Sequence, residues 1–264
     1  MHSDQETYRE LKEQMQDYEG ADVYADVVRP WMRMQDEERR WMESFSKRKG
    51  SPVPEATTEE IWRLYAFSRV VELLQLSFAP PDSPNPNQWQ MPAVSAAGYA
   101  EFMDSFGLQK IDAPFHPLFH EIVRVEMSGD PHAPIVKTHE YWPAYMLGPL
   151  VITRAGCAVT AGADHVNKSI AENSMLYFAY ARRNRPTHDP SEGWGGNSQW
   201  RTEFRRDYLL DGVRYYNVDG KPKRKPDEDL TEADRMEMLR YRSFIHCEKE
   251  DINRWPYYDS LIEG

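Results

Sequence analysis

Cysteine is scarce in this sequence: Cys157 and Cys247 are the only two in 264 residues, and no Cys-x-x-Cys occurs. That argues against a disulfide-stapled scaffold, thioredoxin-like redox chemistry and the usual zinc clips, and points to a reduced pair in a cytosolic-type protein. Long apolar runs are missing as well. The most apolar uncharged stretch, 141–153, is 13 residues long and carries two prolines, too short for a membrane-spanning helix. The first residues have neither a basic start nor an apolar core, so they do not read as a signal peptide. The expectation is a cytoplasmic protein with no membrane association.

Basic charge is in short supply, with 32 Lys and Arg against 43 Asp and Glu and a net charge of −11. Phosphate backbones need clustered cations, which argues against nucleic acid as a partner. Phosphate-loop, nucleophile-elbow and dinucleotide glycine patterns are absent; Gly193-Trp-Gly-Gly lacks the third-glycine spacing. No motif singles out a cofactor, and whether the chain is an enzyme stays open.

Aromatic residues, by contrast, are plentiful: 8 Trp, 15 Tyr and 10 Phe, within a 40% hydrophobic composition. A chain of this length hides roughly 70–75% of its unfolded surface, so a sizeable core is expected. The first third reads as helical. Ser3 and Glu6 form a capping-box pair, and Tyr8, Leu11, Met15 and Tyr18 follow at helical spacing, with Gly20 as a stop. A second helix starts with Pro30 in its first turn and turns Trp31, Met34, Trp41, Met42 and Phe45 inward. A third, capped by Thr57 and Glu60, carries a wide apolar face and stops before Pro80.

Five prolines between 80 and 92 mark a loop or linker. They divide a helical segment, 1–79, from a body, 94–264, packed with it as one compact unit. A short helix from Ser95 to Gly107 buries Tyr99, Phe102, Met103 and Phe106. Strand signals then take over at 121–127, 135–139, 147–154, 157–160 and 175–181. The clearest hairpin joins Phe204–Leu210 to Val213–Val218 through Asp211-Gly212, a type I′ pair. A last helix is expected from Thr231 to about Tyr241, and the tail around Trp255 is expected to dock on the body. Helices first and short strands later give an α+β fold: an N-terminal helical layer on a mainly antiparallel sheet.

Two clusters could carry chemistry. In the first, His116 and His120 stand four apart, a spacing that on a helix could hold one metal ion with a distant third ligand such as His139. Hydrogen-bonded histidines at a helix–sheet junction explain the same residues without a metal. The second runs from Arg182 to Asp207. Between Arg182 and Arg206 there are six arginines against three acids, an excess of three in an acidic chain. Arg182, Arg183, Arg201 and Arg205 could grip a carboxylate or phosphate, Trp194 and Trp200 offer stacking faces, and Asn197 and Gln199 add neutral hydrogen-bonding groups. His120, Glu121, His188 and Asp189 are the candidates for proton transfer. The alternative is a scaffold in which these arginines pair with surplus carboxylates.

Three functions follow. The first is binding, with or without turnover, of a small anionic or planar polar ligand at the Arg/Trp/Gly-rich stretch. The second is an acidic interaction module, immunity- or scaffold-like, for a protein partner: residues 1–30 hold eight acids against three bases. The third is a metal-dependent hydrolase at His116, His120 and His139.

Overall fold

In the computed structural model, residues 4–78, 80, 93–166, 168–173, 204–222 and 259–264 are described. The expected strand at 175–181, the expected helix at 231–241 and the tail around Trp255 lie outside them, as does nearly all of the proline-rich stretch.

Helix α1 spans Asp4–Gln16 and buries Tyr8, Leu11 and Met15. It ends a turn before Gly20. Tyr18 therefore leaves the helical stripe; its hydroxyl donates to Asp26 and accepts from the Asp22 amide.

The expected helix from Pro30 to Phe45 is broken in two. A π-helical turn, Tyr24–Val28, runs into α2 (Arg29–Arg33), where Pro30 sits in the first turn. After the break, α3 (Asp36–Ser46) restarts with Asp36, Glu37 and Glu38 in its first turn, where carboxylates meet the positive end of the helix dipole. Met34 falls in the break and is 73% exposed, not turned inward, while Trp31, Met42 and Phe45 are buried as expected.

Helix α4 (Thr58–Gln75) opens on a complete capping box. The Glu60 amide donates to Thr57 Oγ1, and the Thr57 amide donates to Glu60 Oε2. It is buried nearly all round through Leu64, Phe67, Val70, Val71 and Leu74, which makes it the central helix of the layer. Helix α5 (Ala96–Ser105) is capped by Ser95 Oγ, which accepts from the Gly98 amide. It stops at Gly107, whose φ of +75° places the chain where glycine carries no steric penalty.

Ten strands follow. In chain order they are β1 (Gln109–Ile111), β2 (His120–Met127), β3 (Val136–Trp142), β4 (Ala144–Leu147), β5 (Leu150–Thr153), β6 (Ala155–Ala161), β7 (Asp207–Leu210), β8 (Val213–Tyr216), β9 (Lys221–Pro222) and β10 (Asp259–Glu263). A seven-stranded sheet has the order β1-β4-β5-β7-β8-β10-β9, antiparallel except for β10 with β9. A three-stranded sheet has the order β2-β6-β3, with β2 parallel to β6.

The hairpin at Asp211-Gly212 forms as expected: both residues have positive φ, 50° and 82°, and Tyr208 faces Tyr215 across it. The expected strand over 147–154 is instead a hairpin arm and its turn. Gly148, at φ +56°, lies against the Ser46 carbonyl, and Leu147 pairs with Leu150 across the turn. Strand β2 departs from simple alternation too. Glu121 is buried, and the register with β6 shifts between Ile122 and Arg124. Helix α6 (Lys168–Asn173) packs on this strand, and Glu172 Oε1 accepts from the Val125 amide at 3.0 Å.

The largest core cluster joins the helices to one face of the seven-stranded sheet, through Tyr145, Leu147, Leu150, Ile152 and Tyr208. The fold is thus α+β, with the helical layer on a mainly antiparallel sheet. The opposite sheet face carries its own cluster, in which Leu118 and Phe119 meet Met146, Val151 and Tyr216. That second face positions the site described next.

Candidate functional site

Residues 116–120 make one helical turn before β2. The Phe119 and His120 amides both donate to the His116 carbonyl, at 3.0 and 2.9 Å. Pro117 occupies the turn's first position, where its missing N–H costs nothing. The two histidines do share this turn, but each Nδ1 faces the turn's own backbone. His116 Nδ1 accepts from the Leu118 amide at 3.1 Å, and His120 Nδ1 lies 3.1 Å from both the amide nitrogen and the carbonyl oxygen of His116. The Leu118 bond places the His116 ring proton on Nε2, which faces Glu263 Oε2 at 3.4 Å.

His139 stands elsewhere. It lies on β3, separated from β2 by the intervening β6, or two strand spacings of about 4.8 Å each. It is exposed, with its ring edge-on to Tyr141. Among the described residues no group of three or more His, Cys, Asp or Glu side chains could hold a metal ion.

His120 is 2% exposed, and burial pushes its imidazole down to about 4. The ring is therefore neutral at pH 7. Because the unfolded chain takes up this proton near the ordinary value of 6.5, protonation favours unfolding. Stability is fully present above pH 6.5 and is lost as pH falls toward 4. The loss attributable to this one group is on the order of 3 kcal/mol. Urea unfolding at pH 7 and pH 4.5 checks it: His120→Gln is expected to flatten the difference, and an unchanged slope would refute the assignment. Glu121, the next residue, is 1% exposed and stands opposite Gly156 in the sheet register.

Of the Arg182–Asp207 stretch, Phe204–Asp207 is described; Arg182, Arg183, His188, Asp189, Trp194, Asn197, Gln199, Trp200 and Arg201 lie outside the described residues. Phe204 is buried in the helix-facing core. Arg205 is half-buried. Arg206 is consumed by structure. Its Nε and Nη2 grip Asp219 at 2.8 and 2.6 Å, while Nη1 donates to the Pro54 carbonyl and Tyr208 hydroxyl. Asp207, fully buried, accepts from Arg154 Nη2 and from the Asn217 amide.

Arg154 is the joint between the two clusters. While Nη2 holds Asp207, its Nε donates to the Pro117 carbonyl at 3.4 Å. Its own carbonyl accepts from Trp142 Nε1 at 2.9 Å. Two stretches some ninety residues apart, 116–120 and 205–207, thus meet on the second face of the large sheet. Next to them Glu263, 3% exposed, accepts from the Tyr216 hydroxyl at 3.2 Å and lies 3.6 Å from Arg214 Nη1. Burial pushes the Glu263 carboxyl upward, but the hydrogen bonds from His116 and Tyr216 and the Arg214 charge oppose it, and the net shift is below the ordinary value.

Arg154, Tyr216 and Glu263 are the residues of this face that the sequence reading does not find. Arg154 had one usable signal, a charge closing the apolar run at 147–153. Glu263 had none, since its partners lie in β8 and before β2. Cys157 plays no part: it is buried in the three-stranded sheet, and burial pushes its thiol up to about 12. Comparison with known proteins returned nothing: no protein-family model, no curated protein and no solved structure matches this chain.

Proposed function

We propose that the protein binds a small anionic or planar polar ligand through the Arg/Trp/Gly-rich stretch ending at Arg205. The supporting observation is the anchor at its end. Asp207 pairs with Arg154 on the sheet face that also carries His116, and Arg206 pairs with Asp219 beside Tyr208, so the described end of the stretch is fixed to the sheet. With Arg206 spent, five arginines still face three acids between Arg182 and Arg205. In this reading Arg182, Arg183, Arg201 and Arg205 hold the anion. Trp194 and Trp200 stack on a planar group, and Asn197 and Gln199 orient it. His188 and Asp189 are the candidates for proton transfer; His120 and Glu121 stand by as buried groups, His120 as a neutral ring.

Thermal shift with a panel of phosphorylated and carboxylated metabolites tests the reading. A ligand at a hundred times its Kd stabilises the folded chain by about 2.7 kcal/mol. Wild type is expected to show such a shift with some member of the panel, and Arg201→Ala/Arg205→Ala to lose it. A wild-type chain indifferent to the whole panel removes the proposal.

A second reading, an acidic module for a basic protein partner, is favoured by one observation. The three bases of residues 1–30 are already engaged: Arg9 with Glu13, Arg29 with both oxygens of Glu101, and Lys12 buried against α4. Glu10, Asp17, Glu19 and Asp22 remain exposed around them. A partner bound here should dissociate with added salt and fail to bind Glu10→Lys/Asp17→Lys/Glu19→Lys. Binding indifferent to both would exclude this face.

A further inference from the structure

Strands β8 and β9 are consecutive and are joined by only the four residues 217–220, yet β10 lies between them. Leu261, Ile262 and Glu263 pair antiparallel with Tyr216, Tyr215 and Arg214 of β8. Asp259 and Ser260 pair parallel with Lys221 and Pro222 of β9. The gap one strand wide is therefore framed by a local stretch of chain and filled by a segment that follows 36 residues later, after 223–258.

The frame has its own bracing. The Asn217 amide donates to Asp207, the Val218 amide to the Arg206 carbonyl, and the Gly220 amide to the Asn217 carbonyl. Arg206 grips Asp219 with two nitrogens. None of these contacts uses β10. What β10 adds is a main-chain ladder and two side chains on one face. Leu261 packs into the cluster with Leu118, Phe119 and Tyr216, and Glu263 meets the Tyr216 hydroxyl, Arg214 and His116.

We propose that the β8–β9 gap is a strand-acceptor site. It takes an extended segment of a partner protein that carries an apolar residue two positions before a carboxylate, in exchange for the chain's own Leu261–Glu263. The ladder supplies affinity through backbone hydrogen bonds, as in other cases of strand addition, and the alternate side chains supply selectivity. The apolar requirement comes from the cluster that Leu261 enters, and the carboxylate requirement from the three polar groups around Glu263. The chain's own strand competes as an internal ligand, at an effective concentration on the order of millimolar.

The probe is a fluorescein-labelled peptide of residues 258–264, titrated into the full chain and followed by fluorescence anisotropy. The Glu263→Ala chain, whose own strand is weakened, is expected to bind it about tenfold more tightly than wild type. A peptide with glutamine in place of its glutamate is expected to lose that binding. No binding to either chain, equal binding by both, or indifference to the peptide's glutamate overturns the proposal. Should Glu263→Ala fail to fold, the wild-type chain decides by hydrogen exchange. Excess unlabelled peptide is expected to speed exchange of the chain's own 260–263 amides, and unchanged exchange overturns the site.

Discussion

Asp207→Ala is expected to cost about 3–5 kcal/mol of folding stability. The side chains of Arg154 and Asp207 are 4% and 0% exposed. Removing the carboxylate takes the anion of a buried ion pair from beside a buried guanidinium, and breaking one side of such a pair costs more than the pair's net worth. The Asn217 amide loses its acceptor in the same step, which loosens the far end of the β7–β8 hairpin. Urea unfolding at pH 7 measures the effect as a lower midpoint with an unchanged slope. The double variant Arg154→Met/Asp207→Leu is expected to recover much of the loss, because both desolvated charges are gone. A single variant within about 1 kcal/mol of wild type would show that the pair does not hold the sheet face together.

Phe67→Ala is expected to be as damaging, about 3–5 kcal/mol, for a different reason. Phe67 is fully buried at the middle of α4. Its ring stacks on Phe102 at 5.8 Å and meets Tyr8 and Phe106 edge-on at 5.7 and 5.4 Å. One side chain therefore touches rings from α1 and from α5 with its C-cap. Truncation opens a cavity that three rigid rings cannot collapse into, and the cost grows with the volume left empty. Trp41→Ala is the contrasting case: Trp41 is half-buried beneath Arg63, whose guanidinium carbon lies 4.2 Å from its ring centroid. It should cost clearly less in the same assay. Equal losses would mean that the aromatic cluster is not the organising core of the helical layer.

Local chemistry accounts for what was legible. The Thr57–Glu60 box, the Ser95 cap and the Asp211-Gly212 turn each depend on residues within a few positions of one another. The stripes Tyr8/Leu11/Met15 and Tyr99/Phe102/Met103/Phe106 are buried as their spacing implies. Where the reading failed, a competing contact came from outside the window. Met34 looks like part of an apolar face, but the acids at 36–38 begin a new helix there. The 147–154 run looks like one strand, but Gly148 turns it back against the Ser46 carbonyl. Glu121 alternates with apolar neighbours as an outward residue would, yet it is buried, in a strand whose next residues Ile122 and Val123 enter two different core clusters.

The candidate site divides the same way. The sequence by itself determined that residues 116–121 and 182–207 are rich in polar and cationic groups, and that helices precede strands. It also determined the caps and turns, because those depend on backbone hydrogen bonds and φ preferences a few residues long. Only the tertiary structure decided that the two stretches meet, that Arg154 joins them, and that Arg206 is spent on Asp219. The placement of β10 between β8 and β9, which brings Glu263 to His116, was decided there as well. These contacts join residues far apart in the chain, and which of many equally charged partners meet is set by sheet register and by how the strands twist and pack, not by local pattern.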